Sequence, residues 1–292
     1  ENEISIINVR ENNIQPDCNT AQANIHLQNT SSTASLYIND NTLSGCDDGR
    51  GYNGYSITLY SSIIYEISRN TMINNRTALH IGGISNILNF TNNSIINNEN
   101  GVYFDNPNSI INNFSSNVFF NCIYNHIFSD NGGTIDNMKF NAFDNSTSFD
   151  LENMNYPMSF TEINQNNING HPSDTWYNIF INDPIFVDIE SENFTPLAES
   201  PLIDAGNIEE MDPDGTITDI GRFYYDQGTT APQINGISAT QTYGTYPLFV
   251  QFSANIEGPA NTYSWNFGNG ETSNNYQPLV SYAAAGTYDV SL

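Results

Sequence analysis

Positive charge is nearly missing: the 292-residue chain carries 6 Lys and Arg against 32 Asp and Glu, a formal net charge of -26. Such a surface cannot neutralise phosphates, which excludes charge-driven binding of DNA or RNA. It repels other anions and attracts divalent cations. No apolar run is long enough to cross a bilayer, so no membrane insertion is expected in this segment. No signal peptide is legible, and the start at Glu1 without Met reads as a mature or excised fragment. With 3 cysteines the redox compartment is only weakly marked. Asn, Gly, Thr and Ser, all weak helix formers, fill the places between short Ile, Phe and Val runs, which argues against helix.

What is present is a repeat. The pattern apolar-x-x-Asn-x-apolar begins at Val9, Ile38, Ile67, Phe90, Phe114, Met138 and Ile163, with successive starts 29, 29, 23, 24, 24 and 25 residues apart. Units of this length cannot bury a core alone and must stack on their neighbours. Three short strands and three turns per unit make one coil of a right-handed parallel β-helix, so the expected class is all-β, a solenoid of about seven coils. Met72, Ile95, Phe119 and Phe143 then form one inward stack, and Ile67, Phe90, Phe114 and Met138 another. Asn70, Asn93, Asn117 and Asn141 form an amide ladder at a turn, where Asn tolerates left-handed backbone. A second ladder is expected four residues later, at Asn74, Asn97, Asn121 and Asn145.

Cys18 and Cys46 fall at nearly the same place on adjacent coils, a separation that suits a disulfide, with two free small hydrophobes as the alternative. Seven Asn-x-Ser/Thr sequons, at Asn29, Asn75, Asn89, Asn92, Asn113, Asn145 and Asn193, are unsurprising in so Asn-rich a chain.

After about Gly170 the repeat fades. Asp183 to Asp188 (DPIFVD), Ser200 to Gly206 (SPLIDAG) and Asp212 to Gly221 (DPDGTITDIG) together resemble the segment that closes many bacterial secreted parallel β-helix proteins. The resemblance implies a C-terminal cap and an extracellular or cell-surface address. Asp212, Asp214 and Asp219, with a carbonyl near Thr216, are hard oxygen ligands of the kind Ca²⁺ prefers, although the EF-hand glutamate is missing. An acidic turn held by its own hydrogen bonds is the other reading.

The last stretch resembles a PKD (polycystic kidney disease) domain, an immunoglobulin-like β-sandwich. Pro247 to Phe252, Trp265 to Gly270 (WNFGNG), Pro278, Tyr282 and Gly286-Thr287-Tyr288 carry the resemblance. Asn266 and Asn269 stand where that family usually has Asp, and the chain ends at Leu292 where the family's last strand is still running. The expected domains are 1–180 for the solenoid, 181–228 for its cap and 229–292 for the PKD-like sandwich, incomplete at its end.

Catalysis finds little support. A lyase of this scaffold needs a basic residue, and Lys139 with five arginines fall in no common column. Asp47-Asp48 echo the paired carboxylates of polygalacturonases without their companion motifs. The first two repeats carry extra length around Cys18 and Cys46, and insertions on one face of a repeat protein often build its binding surface. Asp47, Asp48, Arg50, Tyr52 and Tyr55 there supply carboxylates, a guanidinium and rings suited to sugars, while an ordinary solvated loop is the plainer account. His80, Tyr103 and His126 would stack outward, unless a one-residue shift of register turns His126 inward. The leading expectation is a secreted, non-catalytic structural or adhesive protein, with other copies of itself, matrix or surface components, or polysaccharide as partners. The alternative is a carbohydrate-active lyase or hydrolase.

Overall fold

A computed structural model of the chain describes residues 5–14, 23–28, 34–47, 52–228, 233–257, 263–275 and 277–292. The described residues are all-β and divide into two compact units, Glu1–Asp212 with Ile217–Tyr225, and Pro213–Thr216 with Asp226–Leu292.

The first unit is a parallel β-helix. Its first sheet stacks seven strands, Ser5–Arg10, Ala34–Asn39, Ile63–Ser68, Asn86–Thr91, Ile110–Ser115, Gly133–Lys139 and Met154–Asn155. The second stacks Asn13–Ile14, Thr42–Ser44, Thr71–Ile73, Ser94–Ile96, Val118–Phe120, Ala142–Asp144 and Ile179–Ile181. The third stacks Ala23–Gln28, Tyr55–Tyr60, Thr77–Gly82, Asn100–Phe104, Asn125–Ser129 and Ser148–Asp150. Register follows the repeat: Val9, Ile38, Ile67, Phe90, Phe114 and Met138 pair coil to coil. So do Leu43, Met72, Ile95, Phe119, Phe143 and Phe180. Phe90 stacks on Phe114 with centroids 5.2 Å apart, and Phe119 on Phe143 at 5.2 Å. Like residues stack on like because each coil repeats the same inward pattern, and the interior closes without alternating large and small side chains.

The turn from first to second sheet explains the asparagines. A residue with left-handed backbone stands there in every coil: Glu11, Asp40, Arg69, Asn92, Ser116, Phe140 and Tyr177, with φ between 50° and 63°. The next residue is always asparagine. Nδ2 of Asn12, Asn41, Asn70, Asn93, Asn117 and Asn141 donates to Oδ1 of the following rung at 2.9–3.1 Å, ending on Asn178. The same Oδ1 accepts the backbone N–H of the preceding asparagine, and Nδ2 also reaches a carbonyl one coil back, as Asn93 does to Ile67 O at 3.0 Å. The ladder asparagines therefore do not adopt the left-handed conformation themselves; they follow the residue that does.

That distinction corrects the second ladder. Asn74, Asn97 and Asn121 are the left-handed residues of the second corner, with φ of 58°, 53° and 55°. The buried amides stand one position later: Asn75 Nδ2 donates to Asn98 Oδ1 at 3.1 Å, and Asn98 Nδ2 to Met72 O at 2.8 Å. In the expected column, Asn121 reaches Asn97 at 2.8 Å near the surface, and Asn145 turns to Asn182 at 3.0 Å. The third corner repeats the device with serine: Ser62 N–H donates to Ser85 Oγ at 3.1 Å and Ser85 N–H to Ser109 Oγ at 3.2 Å.

The seventh coil departs from the repeat. Asn178, 37 residues beyond Asn141, continues the ladder, whereas Ile163 is exposed and Asn166 lies in a short antiparallel strand, Gln165–Asn166, paired with Pro172–Ser173. The inserted residues carry Phe160, which packs on Phe143, Phe149 and Phe180 and closes the apolar interior. They also carry buried Asp174, whose carboxylate accepts Asn178 N–H, Asn178 Nδ2, Trp176 N–H and Thr161 N–H. Burial pushes that carboxyl above its usual range against the pull of these donors. The amide ladder thus runs with its N–H ends toward a carboxylate, the favourable orientation for aligned dipoles.

Residues 183–212 and 217–225 run along the outside of the second sheet. Ile73, Ile96, Val118, Ala142 and Ile179 project outward there and form a second core with Phe186, Phe194, Leu202 and Ile220. The closing role expected of this segment is therefore lateral, while Phe160 covers the interior. Gly221 N–H donates to Ser116 O at 2.8 Å, and Arg222 reaches Asn41 O, Asp40 O, Thr42 Oγ1 and Thr71 Oγ1 at 2.7–3.1 Å. Burial lowers the Arg222 pKa, an effect that nearby Asp40 opposes.

In the second unit, Gln233–Ala239, Leu248–Glu257 and Leu279–Tyr282 form an antiparallel sheet, and Trp265–Asn266 pairs with Thr272–Ser273. Trp265 and Phe267 are buried against Val250, Phe252, Val280 and Tyr282. The Trp265 indole donates to Asn275 O at 3.0 Å, which satisfies its one polar atom. Asn266 and Ser291 exchange backbone hydrogen bonds at 2.9 Å, so the chain is still in extended pairing near Leu292.

Candidate functional site

The outer face of the third sheet concentrates aromatic groups. Strand register places His26, Thr58, His80, Tyr103 and Phe128 in one column. Tyr103 lies between His80 (4.9 Å, 10°) and Phe128 (4.3 Å, 5°), and Tyr55 continues the stack on the other side of His80 at 5.1 Å. Tyr60 meets the His80 ring edge-on at 5.6 Å. Its ring occupies space above Gly82, where a Cβ would come within 2.6 Å of it, so the absence of a side chain at Gly82 seats the ring. Parallel pairing forces this arrangement: residues in register lie one strand spacing apart, about 4.8 Å, close to the distance at which rings stack.

Two carboxylates edge the ribbon. Tyr103 Oη donates to Asp130 Oδ2 at 2.7 Å, and His80 Nε2 lies 3.7 Å from Asp105 Oδ2. Burial raises the Tyr103 pKa, and the bond to Asp130 and the nearby negative charges push the same way, so the phenol keeps its proton. Burial lowers the His80 pKa and outweighs Asp105, so the ring is neutral at pH 7. Buried Thr58 Oγ1 and both His80 ring nitrogens have no hydrogen-bond partner. Partly exposed aromatic rings beside carboxylate acceptors are groups that can take up the apolar patches and the hydroxyls of a sugar.

The binding set read from the sequence touches this ribbon at one residue, Tyr55. Asp47 and Tyr52 pair in a two-stranded hairpin, Cys46–Asp47 with Tyr52–Asn53, which inserts between the second and third sheets of its coil. Asp48 and Arg50 lie outside the described residues, as does the Cys18–Cys46 pairing; Cys122 is a buried free thiol. His126 turns inward, where its Nε2 lies 3.0 Å from Asp144 O, and Phe128 takes the outward place. Phe128 and Tyr60 are not legible from the Asn ladder: the ten residues that separate Asn70 from His80 and Asn93 from Tyr103, counted on from Asn117, lead to Ile127, one short of Phe128.

In the acidic segment, Asp219 accepts Asp204 N–H at 2.8 Å and Tyr225 N–H at 2.7 Å, while Asp212 accepts Asp219 N–H at 2.7 Å. Burial, with Asp212 and Asp204 nearby, pushes the Asp219 carboxyl up to about 7. Asp214 accepts the N–H and hydroxyl of Thr216 at 3.0 and 2.8 Å. Among the described residues no group of three or more His, Cys, Asp or Glu is placed to hold a metal ion.

Comparison with known proteins adds one assignment and one limit. No curated protein and no solved structure matches the chain. No helix of the described residues is long and apolar enough to cross a membrane. Residues 229–292 match the family model described as PKD domain, and PKD domains occur in extracellular proteins.

Proposed function

We propose that this chain is a secreted, non-catalytic structural or adhesive protein whose β-helix presents the ribbon of Tyr55, Tyr60, His80, Tyr103 and Phe128 to an extracellular polysaccharide. The observation that carries the reading is the in-register stack of His80, Tyr103 and Phe128 on an outer sheet face, which Tyr55 extends from outside the column. Such a column offers a row of ring edges along the coil axis, flanked by the Asp105 and Asp130 carboxylates, suited to a linear chain of sugars rather than a single one. The net charge of -26 favours a neutral polymer over a polyuronate. The PKD match supports an extracellular role of adhesive or structural kind. Calcium enters the proposal only through the acidic segment and not through the ribbon.

Affinity electrophoresis in gels cast with neutral polysaccharides tests the reading, with a polyuronate gel as the charged comparison. Retardation in at least one neutral gel is expected, weakened about tenfold in Tyr103→Ala and Phe128→Ala, each removing one ring of the row. Equal mobility in all gels, or retardation that survives both substitutions, would count against it.

A further inference from the structure

Five asparagines with described side chains stand directly before a glycine: Asn100, Asn131, Asn169, Asn235 and Asn269. In such a pair the glycine nitrogen can attack the side-chain amide carbon of the asparagine, because no Cβ shields it. The fold decides which pair reacts, since attack needs an unengaged glycine N–H and a side-chain carbonyl already turned toward it.

Four of the pairs are held back. Asn100-Gly101 lies in a strand paired on both sides, with Asn100 opposite Thr77 and Asn125, and a Cβ at Gly101 would collide with His126 O, so the backbone has no room to turn. Gly132 N–H donates to Ser129 Oγ at 2.6 Å. Gly170 N–H donates to Asn167 O at 3.0 Å, and Asn169 Nδ2 is fixed on Ile203 O at 2.7 Å. Gly236 lies in the strand Gln233–Ala239, opposite Asn255 of its antiparallel partner.

Asn269-Gly270 differs at each point. It sits in the turn that joins Trp265–Asn266 to Thr272–Ser273. Asn269 Oδ1 accepts Glu271 N–H at 2.9 Å, an Asx turn, which folds the side-chain carbon over the intervening Gly270 nitrogen. Among the described residues nothing accepts the Gly270 N–H. Gly270 is exposed, with φ of 91° and open space where a Cβ would stand. Asn269 Nδ2 is held by one long bond, 3.4 Å to Ser281 O. The Glu271 N–H points at the oxygen on which negative charge grows as the amide carbon becomes tetrahedral, and so stabilises the attack.

We propose that Asn269-Gly270 is a self-modification site, which converts Asn269 to aspartate and isoaspartate through a succinimide. Hydroxide takes the Gly270 N–H proton, the nitrogen bonds to the Asn269 side-chain carbon, and the bond from that carbon to Nδ2 breaks with release of ammonia. Water then opens the ring at either carbonyl. Both products add a negative charge to the turn, and the isoaspartyl form also lengthens its backbone by one carbon. The site lies outside the aromatic ribbon and does not depend on it.

Peptide mapping by mass spectrometry on the full chain, aged at mildly alkaline pH with and without urea, tests the site, and isoaspartyl methyltransferase labelling identifies the rearranged product. In the folded chain the Asn269 peptide is expected to convert at least about tenfold faster than the peptides of Asn100, Asn131, Asn169 and Asn235. In urea, where each pair has the same freedom, the five rates should converge. A folded Gly270→Ala should convert at least about tenfold more slowly, because the added methyl crowds the attacking nitrogen. No conversion at Asn269, equal or faster conversion at another of the five in the folded chain, an Asn269 lead that persists undiminished in urea, or an unslowed Gly270→Ala would overturn the proposal.

Discussion

Asn93→Ala removes the middle rung of the longest ladder. Asn93 is fully buried; its Oδ1 accepts Asn70 N–H and Asn70 Nδ2, and its Nδ2 donates to Asn117 Oδ1 and Ile67 O, all at 3.0 Å. Four bonds at about 1 kcal/mol net each would sum to about 4 kcal/mol. The neighbours are not equally stranded, however. Asn117 Oδ1 keeps the Asn93 backbone N–H, and Asn70 Nδ2 keeps Ile38 O and Ser68 O. Asn70 N–H loses its acceptor in a dry site, at about 2 kcal/mol, and the remaining losses add about 1 kcal/mol, giving a destabilisation of about 3 kcal/mol. Urea denaturation of the full chain, followed by circular dichroism, should show the midpoint falling with an unchanged slope. Asn89→Ala is the control, because that surface amide makes two bonds of only 3.3 Å and should cost no more than about 0.5 kcal/mol. A loss in Asn93→Ala below about 1 kcal/mol, or equal to the control, would show that stacked side chains and not amides hold the coils.

Other substitutions probe the remaining devices. Phe160→Ala opens the closed end of the interior, since Phe160 is 5% exposed among Phe143, Phe149 and Phe180, and should cost about 3–5 kcal/mol in the same denaturation assay. Arg222→Ala deletes donors to Asp40 O, Asn41 O, Thr42 and Thr71 and should cost about 3 kcal/mol, with limited proteolysis first cutting within residues 183–225. The Asp219 carboxyl, at about 7 in the fold against an ordinary value near 4, binds more protons folded than unfolded across that window. Its contribution to stability is therefore full below pH 4 and is lost as pH rises through 7; Asp219→Asn should flatten that part of a melting-temperature profile, and an unchanged slope would contradict the assignment. Melting with EDTA and with added calcium tests the calcium expectation: a rise with calcium is the expected result, and its absence retires the ion.

The repeat was legible because one residue type does one task in every coil. Ile67, Phe90, Phe114 and Met138 announce themselves by stacking in register, and Asn70, Asn117 and Asn141 by sitting alone beside them. The second corner misled because Asn74-Asn75 and Asn97-Asn98 are adjacent pairs in which one asparagine takes the left-handed backbone and the other makes the buried bonds. Composition cannot say which is which, although the first corner's order, left-handed residue then ladder, decides it. The sequence around Ile163 imitates the motif inside an insertion, and only tertiary pairing shows that Asn178 is the true rung. The ribbon is half visible: the repeat gives His80 and Tyr103 their outward places, but the next member, Phe128, stands two residues beyond His126 because that coil is longer.

A ladder whose every rung offers the same donor to one neighbour and the same acceptor to the other makes the solenoid modular. Removing or duplicating a coil between Asn41 and Asn141 would return each cut rung of the amide ladder to a partner identical to the one it lost, leaving the outer segment that bridges these coils through Gly221 and Arg222 as the part to be refitted. The Asp174 end differs from the interior rungs, because it receives a donor without passing one on to another asparagine. Length can therefore change in whole coils, in steps of about 4.8 Å, while the chemistry of each coil stays fixed.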